Sequence, residues 1–215
     1  MEVTKALILL FHRNLAQSKA NAAMSTAAAS LPGVEVVDMQ KIYPDSIDIL
    51  RDGECEAARL LAADRIVLQF PIQWYSTPPL LKAWQDAVLT RMFYFNYQAE
   101  GRKLEGTPIM LAVTAGTASD VKRPDGLNMF SMADLLVPLR ATAHRCGLLW
   151  QDPFILYNAD KLSPEALGAE AARYATVLER WVTKNQAGRL EAARGGEKRP
   201  PPLQAPAQEL AVVRE

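Results

Sequence analysis

The chain has 215 residues, enough for one domain with a sizeable core, and its 24 basic and 24 acidic side chains leave a formal net charge of zero. That balance gives no electrostatic reason to expect nucleic acid as a partner, and two cysteines, Cys55 and Cys146, make neither a disulfide framework nor a metal-binding spacing, so a reduced cytosolic setting is expected. No apolar stretch approaches the roughly 20 residues of a spanning helix, and Met1–Phe11 lacks a signal-peptide layout, so any membrane link is expected to run through a partner.

Lys5–Phe11 (KALILLF) reads as a fully buried strand. The loop His12–Ser18 follows, and the alanine-rich run Lys19–Ser30 predicts a helix that Leu31-Pro32-Gly33 stops. A strand-to-helix loop of this kind is a natural anion site, because free N–H groups and the helix dipole both favour a phosphate. No glycine-rich dinucleotide or P-loop pattern is present. A phosphate would instead be held by Ser18, the first helical N–H groups and the ring of His12. Taken alone, a histidine after a strand is more often a structural residue than a ligand contact.

Val34–Asp38 predicts a second strand, Met39–Ile47 a loop and Asp48–Ala63 a helix whose apolar side holds Ile49, Leu50, Ala57, Leu60 and Leu61. Ile66–Phe70 is a third strand, ended by Pro71. Ile72-Gln73-Trp74-Tyr75-Ser76 is an aromatic, polar loop. Thr77 stands where an N-cap oxygen belongs, with Pro78 and Pro79 in the first turn, and Leu80, Leu81, Trp84 and Val88 continue at helical spacing. The β-α-β-α-β-α order argues for a parallel, doubly wound sheet with right-handed crossovers, whose ligand site lies at the carboxyl ends of the strands.

Phe93, Tyr94, Phe95 and Tyr97 crowd one short stretch, too many aromatics for an ordinary solvated loop; they mark a pocket, an interface or a satellite core. Pro108–Thr114 is a fourth strand, and the small residues Ala115-Gly116-Thr117 after it would let backbone N–H groups approach a ligand. Val121–Asn128 reads as a polar loop, either a lid in which Lys122 and Arg123 bring positive charge to the site or a solvated surface turn. Met129–Cys146 predicts a helix interrupted at Pro138 and ended by Gly147. Pro153–Tyr157 is a fifth strand, and Ser163-Pro164-Glu165 opens a last helix to about Lys184. From Ala187 onward, glycines, prolines and mixed charge break any periodicity and predict a disordered tail.

The order FP-x-QWYS-x-PP-x-LK-x-W over residues 70–84 resembles the flavodoxin-like NAD(P)H–quinone oxidoreductases, and within them most closely the FMN-binding ancillary proteins of glutathione-regulated potassium-efflux systems. H-x5-S-x2-N at His12, Ser18 and Asn21, Tyr43-Pro44-Asp45, and residues 141–150 carry the same resemblance, which spans about residues 5–185. It implies an α/β, flavodoxin-like fold with five parallel strands in the order 2-1-3-4-5 and helices on both faces. The flavin-binding domain would cover residues 1–186 and the tail 187–215. It further implies that His12, Ser18, Lys19, Ala20 and Asn21 contact FMN, Lys19 and Ala20 through their backbones. Ile72, Gln73, Trp74 and Tyr75 would lie along the isoalloxazine ring, and Thr114, Ala115, Gly116 and Thr117 would bond its polar edge.

The family's T-T-G-G is Thr114-Ala115-Gly116-Thr117 here, so one hydroxyl and one glycine are missing. Thr117 would be strained if its position required a positive φ. Tyr94 and Tyr97 become candidates for stacking on quinone or nicotinamide across a dimer interface. The implied activity is NAD(P)H-dependent quinone reduction by two-electron, ping-pong hydride transfer through FMN, with FAD the less favoured cofactor and no catalytic side chain required. Two other roles stay open: a regulatory subunit of a potassium-efflux transporter, and a one-electron carrier. The neutral charge and the 93–97 aromatics fit a carrier less well, since a carrier would use a charged docking face.

Overall fold

A computed structural model describes residues 4–118 and 128–183. Six strands stand among the described residues, all parallel: β1 Ala6–Leu10, β2 Val34–Asp38, β3 Arg65–Pro71, β4 Pro108–Thr114, β5 Leu149–Trp150 and β6 Phe154–Leu156. Their order is β2-β1-β3-β4, with β5 and β6 both paired to β4. The expected 2-1-3-4-5 sheet is therefore present, with its fifth position filled by two short pieces. β5 extends the strand upstream of the expected Pro153, and the Gln151 N–H continues the ladder to the Ile109 carbonyl at 2.9 Å. Pro153 cannot donate to the ladder and divides the pieces.

β1, β3 and β4 are apolar because both faces of the sheet are covered. The helices are α1 Lys19–Ala29, α2 Met39–Ile42, α3 Gly53–Leu61, α4 Pro79–Trp84, α5 Arg102–Leu104, α6 Met132–Leu135, α7 Val137–Arg145 and α8 Pro164–Thr183. One layer, under α3, α4 and α7, holds Phe11, Leu60, Leu68, Phe70, Leu81, Trp84 and Leu139. The other, under α1 and α8, holds Ile8, Met24, Val67, Met110, Phe154 and Tyr174. A charged group is buried in the first layer: Glu56 accepts from Tyr43 Oη (3.0 Å), Trp84 Nε1 (3.0 Å) and Arg59 Nε (3.1 Å). These bonds offset the cost of removing the carboxylate from water.

Several expected boundaries move. The 48–63 helix begins only at Gly53, because Asp48 and Asp52 bond backbone and Arg51 groups in the preceding turns. Met39–Ile42, expected as loop, is a short helix capped by the Asp38 carboxylate. Thr77 is not the cap of α4; extended Pro78 occupies that position and Pro79 is the first helical residue.

Beyond α4 the chain runs through three π turns, Gln85–Leu89, Arg91–Phe95 and Tyr97–Gly101, with a non-helical bend at Asn96 before the third, and then enters α5. Phe93, Tyr94 and Phe95 thus lie on the second π turn, and Tyr97 opens the third beyond the Asn96 bend. Arg91 pairs with Glu100 at 2.9 Å across the turns, and a Cβ on Gly101 would lie 2.6 Å from the Met92 carbonyl oxygen. Pro138 sits in the first turn of α7, after a break at Leu136 from α6. The expected lid residues Lys122 and Arg123, and the expected tail, lie outside the described residues. No described helix is long and apolar enough to cross a membrane.

Candidate functional site

The carboxyl ends of β1, β3 and β4 lie side by side, and each leads into a loop singled out in the sequence. At the first, Ser18 caps α1 by accepting the Asn21 N–H at 3.2 Å. Lys19 and Ala20 then present the N–H groups that a first helical turn leaves without intrahelical acceptors. His12 is half-buried and its Nδ1 accepts the Asn14 N–H at 3.1 Å, which places the neutral ring's own proton on Nε2. Burial lowers the His12 pKa from its usual value, against a weaker opposing effect of the nearby Asp38 charge.

At the end of β3, Gln73 and Ser76 exchange two backbone hydrogen bonds, both 3.0 Å. Trp74 and Tyr75 between them have φ values of 46° and 65°. This is a two-residue turn with both central residues left-handed, a shape ordinarily taken by Asn-Gly. Each non-glycine residue there costs roughly 1–2 kcal/mol. The turn lifts Trp74 clear of the protein, with 94% of its surface exposed, and leaves Tyr75 half-exposed with its hydroxyl bonding Asn128 Oδ1 at 2.8 Å. Gln73 is exposed and Ile72 half-buried.

The third loop is tied to the other two. The Ile72 N–H donates to the Thr114 carbonyl at 2.9 Å, and Asn21 Nδ2 donates to Thr114 Oγ1 at 3.0 Å. The three expected segments therefore meet. Asn21 and Thr114 are nevertheless buried with their side chains bonded to each other, and the Asn21 N–H is taken by Ser18. Ala115 is buried and its N–H serves Leu156; Gly116 is exposed. Thr117 has no positive φ, so the anticipated strain is absent. Its buried hydroxyl oxygen has no partner among the described residues.

A fourth loop, after β6, went unread in the sequence. The Ala159 N–H bonds the Ala115 carbonyl (3.0 Å) and the Asn158 N–H the Thr117 carbonyl (3.2 Å). Asp160 lies close by: a Cβ on Gly116 would be 3.1 Å from its Oδ1, so a larger residue there would push the carboxylate aside. Gln69 and Tyr174, buried beneath the loops, were also missed; a glutamine inside an apolar strand was the available signal. Tyr94 is exposed on the helix, while Tyr97 is half-buried and donates its hydroxyl to Glu105 at 2.8 Å.

The arrangement combines an anion-favouring helix terminus, an aromatic shelf and a small-residue loop along one sheet edge. It suits a ligand with a phosphate at one end and a flat ring at the other. A family model described as "Flavodoxin-like fold" matches residues 4–178. The NAD(P)H oxidoreductase YdeQ of Bacillus subtilis (strain 168), itself named as uncharacterized, is 38% identical over 175 residues, covering 81% of this chain and 86% of that protein. The glutathione-regulated potassium-efflux system ancillary protein KefF of Klebsiella pneumoniae (strain 342) is 36% identical over 186 residues, covering 85% and 99%. The crystal structure of general stress protein 14 from Treponema denticola, in complex with FMN, superposes with a TM-score of 0.70 at 33% identity, covering 83% and 97%.

Proposed function

The chain belongs to the Flavodoxin_2 family of flavodoxin-like proteins, and on that premise we propose that it is a flavin-dependent NAD(P)H oxidoreductase that reduces quinones or related acceptors. The observation that carries the reading is the turn at Trp74 and Tyr75, two aromatics held in a strained conformation and raised at the ligand-binding edge. Strain of this kind persists where it presents a side chain to a ligand. The relatives' names agree: one is an NAD(P)H oxidoreductase, and one structure was solved with FMN.

The residues present fit FMN. Ser18, the N–H groups of Lys19 and Ala20, and neutral His12 would hold its phosphate. Trp74 and Tyr75 would flank its ring, and the Thr117 hydroxyl, which has no partner among the described residues and stands beside exposed Gly116, would bond the ring's edge. Asn21 and Thr114 contribute by fixing the loops to each other. FMN suits the site better than FAD because the resemblance of the 12–21 loop is to FMN-binding proteins. Bound flavin supplies the hydride-accepting and hydride-donating chemistry, so the protein needs only to bind, orient and shield. Nicotinamide and acceptor would occupy the shelf in turn, a ping-pong order.

The exposed Tyr94 and Phe95 favour a homodimer in which this helix meets a second copy. The likeness to KefF supports docking on a potassium-efflux transporter, and through it a place at the inner face of the membrane. Purified protein should take up FMN and turn yellow, and NADH or NADPH alone should bleach it. Protein that stays colourless with both FMN and FAD overturns the reading.

A further inference from the structure

Side chains of β3 alternate between the two layers: Leu68 and Phe70 enter one, Val67 the other. Gln69 falls on Val67's side and is fully buried. An amide in an apolar layer costs free energy unless both its ends are bonded. Here both are. Gln69 Nε2 donates to the Asn21 carbonyl at 3.1 Å and lies 3.5 Å from Asn21 Oδ1, and Gln69 Oε1 accepts from the Tyr174 hydroxyl at 3.4 Å. Asn21 passes the line on to Thr114 Oγ1. Four buried side chains thus connect α1, β3, β4 and α8. The line starts at Tyr174 of α8, passes through Gln69 and then Asn21 in the first turn of α1, where the phosphate donors lie, and ends at Thr114, the last residue of β4, where the 114–117 loop begins.

We propose that Gln69 is a positioning residue that sets the α1 N-terminus against the β4 loop and thereby makes the site prefer a phosphorylated flavin to riboflavin; this rests on the flavin reading above. The apolar contacts of α1 cannot do this unaided. They come from Ala20, Met24 and Ala28, and apolar packing is non-directional. Hydrogen bonds to Asn21 fix the helix along its axis, and phosphate donors require placement within a few tenths of an ångström. The ring's shelf is independent of Gln69, because the Gln73–Ser76 turn closes on its own backbone.

The test titrates flavin-free protein with FMN and with riboflavin. Gln69→Leu, which keeps the volume and removes both bonds, should weaken FMN about tenfold and riboflavin less than about threefold. Tyr174→Phe, which removes one long bond, should shift the FMN-to-riboflavin preference the same way by a smaller factor. A merely structural role would lower both affinities together or neither. Equal weakening of the two flavins, or unchanged FMN binding, overturns the proposal. If Gln69→Leu does not fold, Tyr174→Phe decides alone, an unchanged preference counting against it. Wild-type protein that binds neither flavin overturns the functional reading itself.

Discussion

Trp74 and Tyr75 expose aromatic surface from a two-residue turn, whereas Tyr94 and Phe95 expose theirs from the last residues of a helical segment. The fractions overlap, 94% and 49% against 43% and 52%, but the backbones do not. The turn holds both its residues at positive φ, and the helix keeps its aromatics out of that region. Exposed aromatic area is therefore not one signal. Where the backbone is strained to present it, the structure resists an energetic pull toward another shape, as a ligand shelf would. Where the backbone is relaxed, the surface suits a second protein face.

The sharpest way to break this contrast is Trp74→Gly. Glycine adopts the left-handed turn without strain, so the fold should gain about 1 kcal/mol while flavin affinity falls about 30-fold with the loss of the indole. A melting curve and a flavin titration on the same sample would show the opposite signs; a parallel loss of both would mean the turn is not strained for binding. On the helix, Phe95→Ser should leave flavin binding near wild type and weaken self-association about tenfold, a hot-spot loss of about 1.4 kcal/mol. Sedimentation that shows no change, or a monomer from the start, would remove this helix as the interface.

The smallest effect concerns His12. Its pKa is lowered in the folded chain, so the unfolded chain binds the proton more readily. The neutral ring's stabilisation is present above the ordinary value of about 6.5 and is lost as pH falls through the lowered value. An NMR titration should place the ring below that ordinary value without ligand, and bound FMN phosphate should raise it. A ring titrating at or above the ordinary value without ligand would contradict the burial.

The sheet was legible because β1, β3 and β4 are uninterrupted apolar runs, and the three loops because each follows such a run. The split of the fifth strand was not, since Gln151 and Asp152 hide a two-residue piece that only β4 completes. The π turns were invisible because a reading tuned to 3.6 residues per turn cannot register wider ones. Nor does Trp-Tyr announce a left-handed turn: the rule for such turns looks for Asn or Gly, and here the paired backbone bonds of Gln73 and Ser76 close the shape instead. Asn21 and Thr114, 93 positions apart, were each readable as ligand contacts; that they bond each other could emerge only from the fold.

A π turn contains one residue more than the α turn it replaces. The turn Gln85–Leu89 therefore carries a surplus residue upstream of Tyr94 and Phe95 that bears on which way they point relative to α4. Excising it would let the coil tighten and swing the side chains that follow, as far as Phe95, by about 100°. In this stretch, then, chain length steers the outward surface as firmly as residue identity does, and a lineage could re-aim it by gaining or shedding a single codon.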